Sequence, residues 1–407
     1  MKKKALLWAV ALVLAAGALM ASGQASGLFD FSFRKQDTVS ISKTEYDRLK
    51  KFSQMDYILQ YIEAWYLEEP DVDALIENAT RGLMAGLNDP YTFYYNAEEW
   101  KDMQEEDEGV YGGVGMELLG NAETNIVTIT RVFRDAPAQK AGVRKGDILV
   151  RVEDIEVNAF TMQDAVNLMR GTLDEEVELE VKRGSEYITF RMPRAVVTIN
   201  RVEYTMLEDQ VGYIMLYRFE GNCAEEFAAA LADLRAQGAQ SLIIDLRDNP
   251  GGWVQSAIDI ADLFLDEGVL AYSEDRYGDR DEYKTKAGKD DIPLVVLVNG
   301  NSASASEILS GGLKDLGRAT VMGTQSFGKG IVQTVISLNN GTEGFQMTYA
   351  QYFLPSGTAV HKIGIAPDII SEMPEELASE MFDLGDLSDP QLKDAWTVAR
   401  EMVEVKN

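Results

Sequence analysis

The chain has 407 residues, more than a single hydrophobic core organises, so two or three domains are expected. Its 38 basic residues stand against 67 acidic ones, which argues against nucleic acid as a partner and against a wide footprint on anionic lipid, since both need a net basic surface. A hydrophobic fraction of 46% is that of a globular protein and argues against long disorder.

Lys2, Lys3 and Lys4 precede an uncharged apolar run from Ala5 to Ala21, followed by small residues. A basic start and an apolar stretch read as a signal or anchor segment over residues 1–25, and either form places the rest of the chain outside the cytoplasm. The run is at the short limit for a membrane span. Retention as a single N-terminal anchor in the cell membrane is the favoured form, with secretion if it is cleaved. Residues 26–41 form a polar linker. Ser42 with Glu45 matches a capping box and predicts a helix from Lys43 to about Trp65, with Tyr46, Leu49, Phe52, Met55 and Ile58 at helical spacing. Further helices are predicted over Asp71–Leu87, stopped by Asn88-Asp89-Pro90, and over Ala97–Glu106, so residues 42–108 form an N-terminal helical region.

From Gly109 to Arg194 the texture is short strands with one helix, a compact β-rich module. The strands are Val114–Leu118, Ile126–Val132, Ile148–Val152, Val177–Val181 and Ile188–Met192, and the helix is Met162–Met169. Residues 195–370 then alternate strands and amphipathic helices, the rhythm of an α/β layered core. Residues 371–407 are an acidic segment ending in a helix.

In an open α/β sheet, reactive groups gather where strands end and helices begin. Two junctions stand out. Asp245-Leu246-Arg247-Asp248-Asn249-Pro250-Gly251-Gly252 has paired glycines that let backbone N–H groups face a ligand, though a plain strand-to-helix turn would look the same. Asn301-Ser302-Ala303-Ser304-Ala305-Ser306-Glu307 offers three serines. A serine at a helix start is often only a cap, but free N–H groups there also favour developing negative charge. A serine nucleophile needs a base. The only histidine, His361, lies in no pattern that aims it. Lys329, between Gly328 and Gly330, is the better candidate, because close packing lowers a lysine pKa. Gln333, four residues on, can orient its amine, and a surface lysine in a glycine turn is the plainer alternative. The single cysteine, Cys223, reads as a packing residue.

Ser302-Ala303-Ser304-Ala305-Ser306-Glu307 followed by Phe327-Gly328-Lys329-Gly330-Ile331-Val332-Gln333 resembles the carboxyl-terminal processing (tail-specific) proteases, as do the Pro-Gly-Gly loop, Leu87-Asn88-Asp89-Pro90-Tyr91 and Gly364-Ile365-Ala366-Pro367-Asp368. The resemblance implies a Ser–Lys dyad of Ser304 and Lys329 supported by Gln333, and it selects Ser304 over Ser302 and Ser306. It implies oxyanion donors at Ala305 and at Gly251 or Gly252. The run from Ala136-Pro137-Ala138 through Ala141-Gly142-Val143 to Gly146-Asp147-Ile148-Leu149 is similar to the core of a bacterial PDZ domain. That likeness implies that Gly113, Val114, Gly115 and Met116 hold a substrate's C-terminal carboxylate. Val152-Glu153-Asp154-Ile155 lacks the glycine usual in the next turn of such a domain, and a different turn is expected there. The implied fold is multidomain α/β: a crotonase/ClpP-like protease core, an inserted PDZ domain and the helical region. The expected partners are protein or peptide substrates gripped by the C-terminus and the membrane, with a homo-oligomer left open. No metal, nucleotide or other cofactor is implied. A catalytically silent, anchored PDZ scaffold and a crotonase-like acyl-CoA enzyme are the alternatives.

Overall fold

The computed structural model describes residues 40–406, apart from residues 123, 287–289, 378–379 and 381. It divides into two compact units, Met1–Ile76 and Glu77–Asn407. In the first, the capping box of Ser42 and Glu45 starts the helix Lys43–Leu49. A 3-10 turn over Lys50–Phe52 leads into a second helix, Ser53–Trp65, so the single predicted helix is interrupted by a narrower, more tightly wound turn. The apolar stripe is present, yet Tyr46, Leu49, Phe52, Met55 and Ile58 all stay exposed. The helix Val72–Ala85 spans the division between the units.

The predicted membrane anchor is corrected. Among the described residues no helix is long and apolar enough to cross a membrane. The 17-residue helix Pro390–Lys406 reaches only about 26 Å and carries charge throughout, against a bilayer core of about 30 Å. The segment 1–25 lies outside the described residues. No described helix supports the membrane as a partner or the cell-membrane location, both expected from that segment.

In the second unit, a six-stranded sheet runs in the order Val202–Met206, Val211–Leu216, Ser241–Asp245, Leu294–Val298, Ala319–Gly323 and Ile369–Ile370. The first pair is antiparallel and every later pair is parallel. The middle strands are buried along their whole length, and mostly apolar, because both faces are covered. Helices Cys223–Ala236, Val254–Asp262 and Ala305–Asp315 contribute to the larger cluster, with Ile214, Ile244, Val296 and Ile308 at its centre. The residues that point the other way, including Ile243, Val295 and Leu297, pack on Leu392, Ala395 and Ala399 of the C-terminal helix. Cys223 is fully buried, and burial pushes its thiol up to about 11, as suits a packing residue.

A second, antiparallel sheet has no counterpart in the sequence reading. It joins Phe93–Tyr95, Gly268–Asp275, Arg280–Thr285, Ile331–Leu338 and Glu343–Phe353. The β-rich module has its own sheet and core, centred on Val127, Ile129, Leu149, Leu179 and Val181. Its chain crossings pair with one another, Val110–Gly113 against Ala195–Thr198. The strand Met116–Asn121 is one of the two edge strands of the module's sheet, Glu186–Pro193 being the other.

Candidate active site

Three neighbouring parallel strands end side by side, and each hands the chain to one part of the site. After Ser241–Asp245 comes the glycine loop, after Leu294–Val298 the serine loop, and after Ala319–Gly323 the lysine loop. This is the carboxyl edge of the sheet, where such folds collect reactive groups.

The serine loop separates three chemically equal hydroxyls by burial. Ser302 Oγ donates to the Leu246 carbonyl at 2.7 Å, and Ser306 Oγ donates to the Asn249 carbonyl at 2.9 Å; both residues are fully buried. Those bonds stitch the serine loop to the glycine loop. Ser304 alone of the three lines a cavity of about 510 Å³. Its backbone sits at φ 55, ψ −115, a conformation that costs a side-chain-bearing residue of order 1–3 kcal/mol. A strained strand-to-helix turn of this kind lifts a nucleophile clear of its neighbours.

The paired glycines divide their work. The Gly251 N–H donates to Asn249 Oδ1 at 2.9 Å and so is already engaged. With φ 103, a Cβ on Gly251 would lie 2.7 Å from Ser304 Cβ. Gly252, at φ 139, is exposed and lines the cavity, and a Cβ there would meet the Phe219 carbonyl at 2.4 Å. Neither position admits a side chain, because the obstructing atoms are backbone or the nucleophile itself. Ala305, fully buried, opens the helix Ala305–Asp315, where first-turn N–H groups have no intrahelical partner.

Lys329 and Gln333 line the same cavity as Ser304. Burial pushes the Lys329 amine below the usual lysine range, against the charges of Asp89 and Glu307, which pull it up. Its Nζ lies 4.3 Å from the centre of the Tyr91 ring. Gln333 does not sit on a simple strand repeat from Lys329. Lys329 precedes the strand Ile331–Leu338, whose register shifts between Val332 and Gln333. The Gln333 amide donates to the Ile331 carbonyl at 3.4 Å and to the Thr348 hydroxyl at 3.3 Å.

One residue escaped the sequence reading except as a helix cap. Glu307 is fully buried, and its carboxylate accepts from the Ser304 N–H at 2.9 Å, the Gly328 N–H at 2.7 Å, the Lys329 N–H at 2.9 Å and the Ser326 hydroxyl at 2.5 Å. It ties the serine loop to the lysine loop. The S-x-x-E spacing flagged the residue, but no local pattern reports a second loop about twenty residues away. His361 is not among the residues lining the cavity.

In the β-rich module, the carbonyls of Val114 and Gly115 accept from the Ala138 and Phe133 N–H groups. In a trans peptide the N–H points opposite to the preceding carbonyl, so the N–H groups of Gly115 and Met116 face away from those partners. The Met116 N–H bonds the Tyr111 hydroxyl, whose pKa burial pushes up to about 12. The glycine-less turn at Val152-Glu153-Asp154-Ile155 is a two-residue hairpin turn in which Glu153 takes φ 47, a conformation usually left to glycine.

A cavity-lining serine at a strained helix start, a desolvated lysine in the same cavity and a module of PDZ pattern fit a serine peptidase that carries a PDZ domain. Comparison with known proteins agrees. Residues 210–371 match peptidase family S41, residues 128–183 match the PDZ domain, and residues 12–99 match the N-terminal domain of the activating protease CtpB. The chain is 36% identical to a carboxy-terminal-processing protease of Bartonella bacilliformis, over 82% of this chain and 78% of that protein. It is 31% identical to the carboxy-terminal processing protease CtpB of Bacillus subtilis, over 97% and 82%. Among solved structures it resembles the photosystem II D1 C-terminal processing protease, with 30% identity, a TM-score of 0.54 and coverage of 86% and 100%. The chain belongs to the S41 carboxyl-terminal-processing proteases. It is a serine-type peptidase that processes protein C-termini, with a PDZ domain for substrate recognition.

Proposed function

We propose that Ser304 is the nucleophile, Lys329 the general base and Gln333 its support. The observation that carries this reading is that Ser304, Lys329, Gln333 and Gly252 line one cavity, at the ends of neighbouring strands. Ser304 Oγ attacks the scissile carbonyl while neutral Lys329 takes its proton. The oxyanion is held by the N–H groups of Ala305 and Gly252; Gly251 leaves space for the nucleophile, since its own N–H is spent on Asn249. On collapse, Lys329 returns the proton to the leaving amine and then activates water against the acyl-enzyme.

The substrate's C-terminal carboxylate docks at Gly113, Val114, Gly115 and Met116, with the peptide added along the edge strand Met116–Asn121. This placement is supported by that strand's position at an edge of the sheet and by the exposed Leu119 on it. The pairing of Val110–Gly113 with Ala195–Thr198 brings the two chain crossings together and supports PDZ boundaries at 109 and 194. The finer likeness of the core to the crotonase/ClpP-like fold rests on its parallel strands and paired-glycine loop.

Titration with a serine-reactive acylating probe tests the assignment. One equivalent should bind the wild type and none should bind Ser304→Ala. Labelling that persists in Ser304→Ala and disappears in Ser306→Ala would refute it.

A further inference from the structure

The turn before the strand Phe93–Tyr95 has no part in the dyad mechanism as usually drawn, yet it meets the base. Tyr91 places its ring face 4.3 Å from Lys329 Nζ. Asp89 Oδ1 accepts from the Tyr91 N–H at 3.0 Å, and Oδ2 accepts from the Thr92 hydroxyl at 2.7 Å. The Thr92 hydroxyl in turn accepts from the Thr348 N–H at 3.0 Å. The Thr348 side chain also bonds Asp89. Because Gln333 donates to that same Thr348 hydroxyl, Gln333 reaches the surroundings of the amine through Thr348 and Asp89.

We propose that the Asp89-Pro90-Tyr91 turn is a positioning element for the Lys329 amine, the Tyr91 ring seating it and the Asp89 carboxylate, fixed by Thr348, supplying the facing negative charge. The inference rests on Lys329 being the base. A cation over a ring face is attracted to it, and the preference is strengthened where water is partly excluded. Asp89 and Tyr91 are both half-buried, so neither interaction is that of a free surface group. The charges acting on the amine are Asp89 from this turn and Glu307 from the helix Ala305–Asp315. Asp107 and Glu220 lie in the walls of the same cavity, while Tyr352, which also lines it, is held neutral by burial. Burial pushes the Asp89 carboxyl up, but hydrogen bonds from Thr348, Tyr91 and Thr92 together with the Lys329 charge outweigh it and hold the carboxyl below the usual carboxylate range.

Ring and carboxylate both favour the protonated amine and oppose the burial that frees the base. On the acid limb the rate tracks the neutral fraction of Lys329. Removing either partner should therefore move that limb to lower pH, while loosening the amine should lower the plateau. The kcat/KM–pH profile of the full chain on a fluorogenic peptide is measured for the wild type and for four variants. Asp89→Asn, which keeps an oxygen for the Tyr91 N–H, should shift the limb by about half a pH unit or more, roughly three-fold in rate on that limb. Tyr91→Leu, which keeps apolar bulk, should shift it the same way, and Tyr91→Phe should leave it in place. A plateau that falls in Asp89→Asn and Tyr91→Leu with the limb unmoved, or a limb that moves to higher pH, would overturn the inference and leave the turn with a structural role. Lys329→Ala reports separately on the base: if turnover survives there, the dyad assignment itself fails.

Discussion

Replacing Glu307 with alanine should be among the most damaging single changes in the core. The carboxylate is fully buried; three backbone N–H groups and the Ser326 hydroxyl donate to it within 2.9 Å, and the Tyr352 hydroxyl donates more weakly at 3.5 Å. Leaving a buried donor unsatisfied costs about 1–3 kcal/mol, so four of them set a gross range of about 4–12 kcal/mol. Relaxation and entering water recover part of it, and Ser326 keeps its bond to the Ile365 N–H at 2.6 Å. A net loss of about 4 kcal/mol results, in line with breaking a buried charged network. Glu307→Gln retains one acceptor oxygen and should lose about half as much. Urea titration followed by tryptophan fluorescence measures the stability, and burst titration of the serine measures the fraction of assembled sites. Glu307→Ala within about 1 kcal/mol of the wild type, with a full complement of titratable serine, would show that the two loops are held by something else.

Ser304→Ala should lower kcat by roughly four orders of magnitude or more with the fold intact. Ser306→Ala should keep turnover and lose about 1 kcal/mol, because its hydroxyl serves only the Asn249 carbonyl; the two are compared by peptide hydrolysis and thermal melting. The wild-type rate should rise with pH through the depressed lysine ionisation, since burial lowers Lys329 and the base must be neutral. Lys329→Arg should be as inactive as Lys329→Ala, because a guanidinium does not deprotonate there; near-normal turnover in the arginine variant would end the dyad mechanism. Amidating a substrate's C-terminus should weaken cleavage severalfold in kcat/KM, and equal cleavage of amide and free acid would remove the PDZ domain from recognition.

The parallel core was legible because its strands are continuous apolar runs and its helices carry inward stripes at 3.6-residue spacing. The alternation expected over residues 195–370 appears as the parallel strands and the helices that cover them, and in the β-rich module the helix expected over Met162–Met169 has those bounds. The antiparallel sheet was not legible, for a physical reason. The strand Ile331–Leu338 grows exposed toward its end, and Arg280–Thr285 is almost wholly exposed, so neither carries the apolar signal of a buried strand. Their order comes from pairing, above all along Glu343–Phe353, which a local window does not contain. At the site, chemistry was legible where a residue type was odd for its surroundings, as with Lys329 between glycines. Choosing among Ser302, Ser304 and Ser306 was not, because hydroxyl burial depends on the Leu246 and Asn249 carbonyls more than fifty residues earlier.

The PDZ domain is fastened by more than its two crossings, and this bears on how a gripped substrate reaches Ser304. Arg131, on the strand Ile126–Val132, is almost fully buried, with its guanidinium 3.5 Å from the centre of the Tyr217 ring in the core. One guanidinium nitrogen lies 3.7 Å from Glu117 on the edge strand of the domain, and another lies 3.6 Å from Glu203 of the core. A stacked, desolvated arginine is worth more than a surface ion pair, and its planar head suits a ring on one face and carboxylates at its rim. Tyr217 stands two residues before Phe219, whose backbone bonds Gly251 and Trp253 on either side of Gly252. The edge strand Met116–Asn121 is thus joined, through Glu117, Arg131, Tyr217 and Phe219, to the loop that carries Gly252. On the docking proposed above, a substrate that displaces Glu117 would act on that chain of contacts directly.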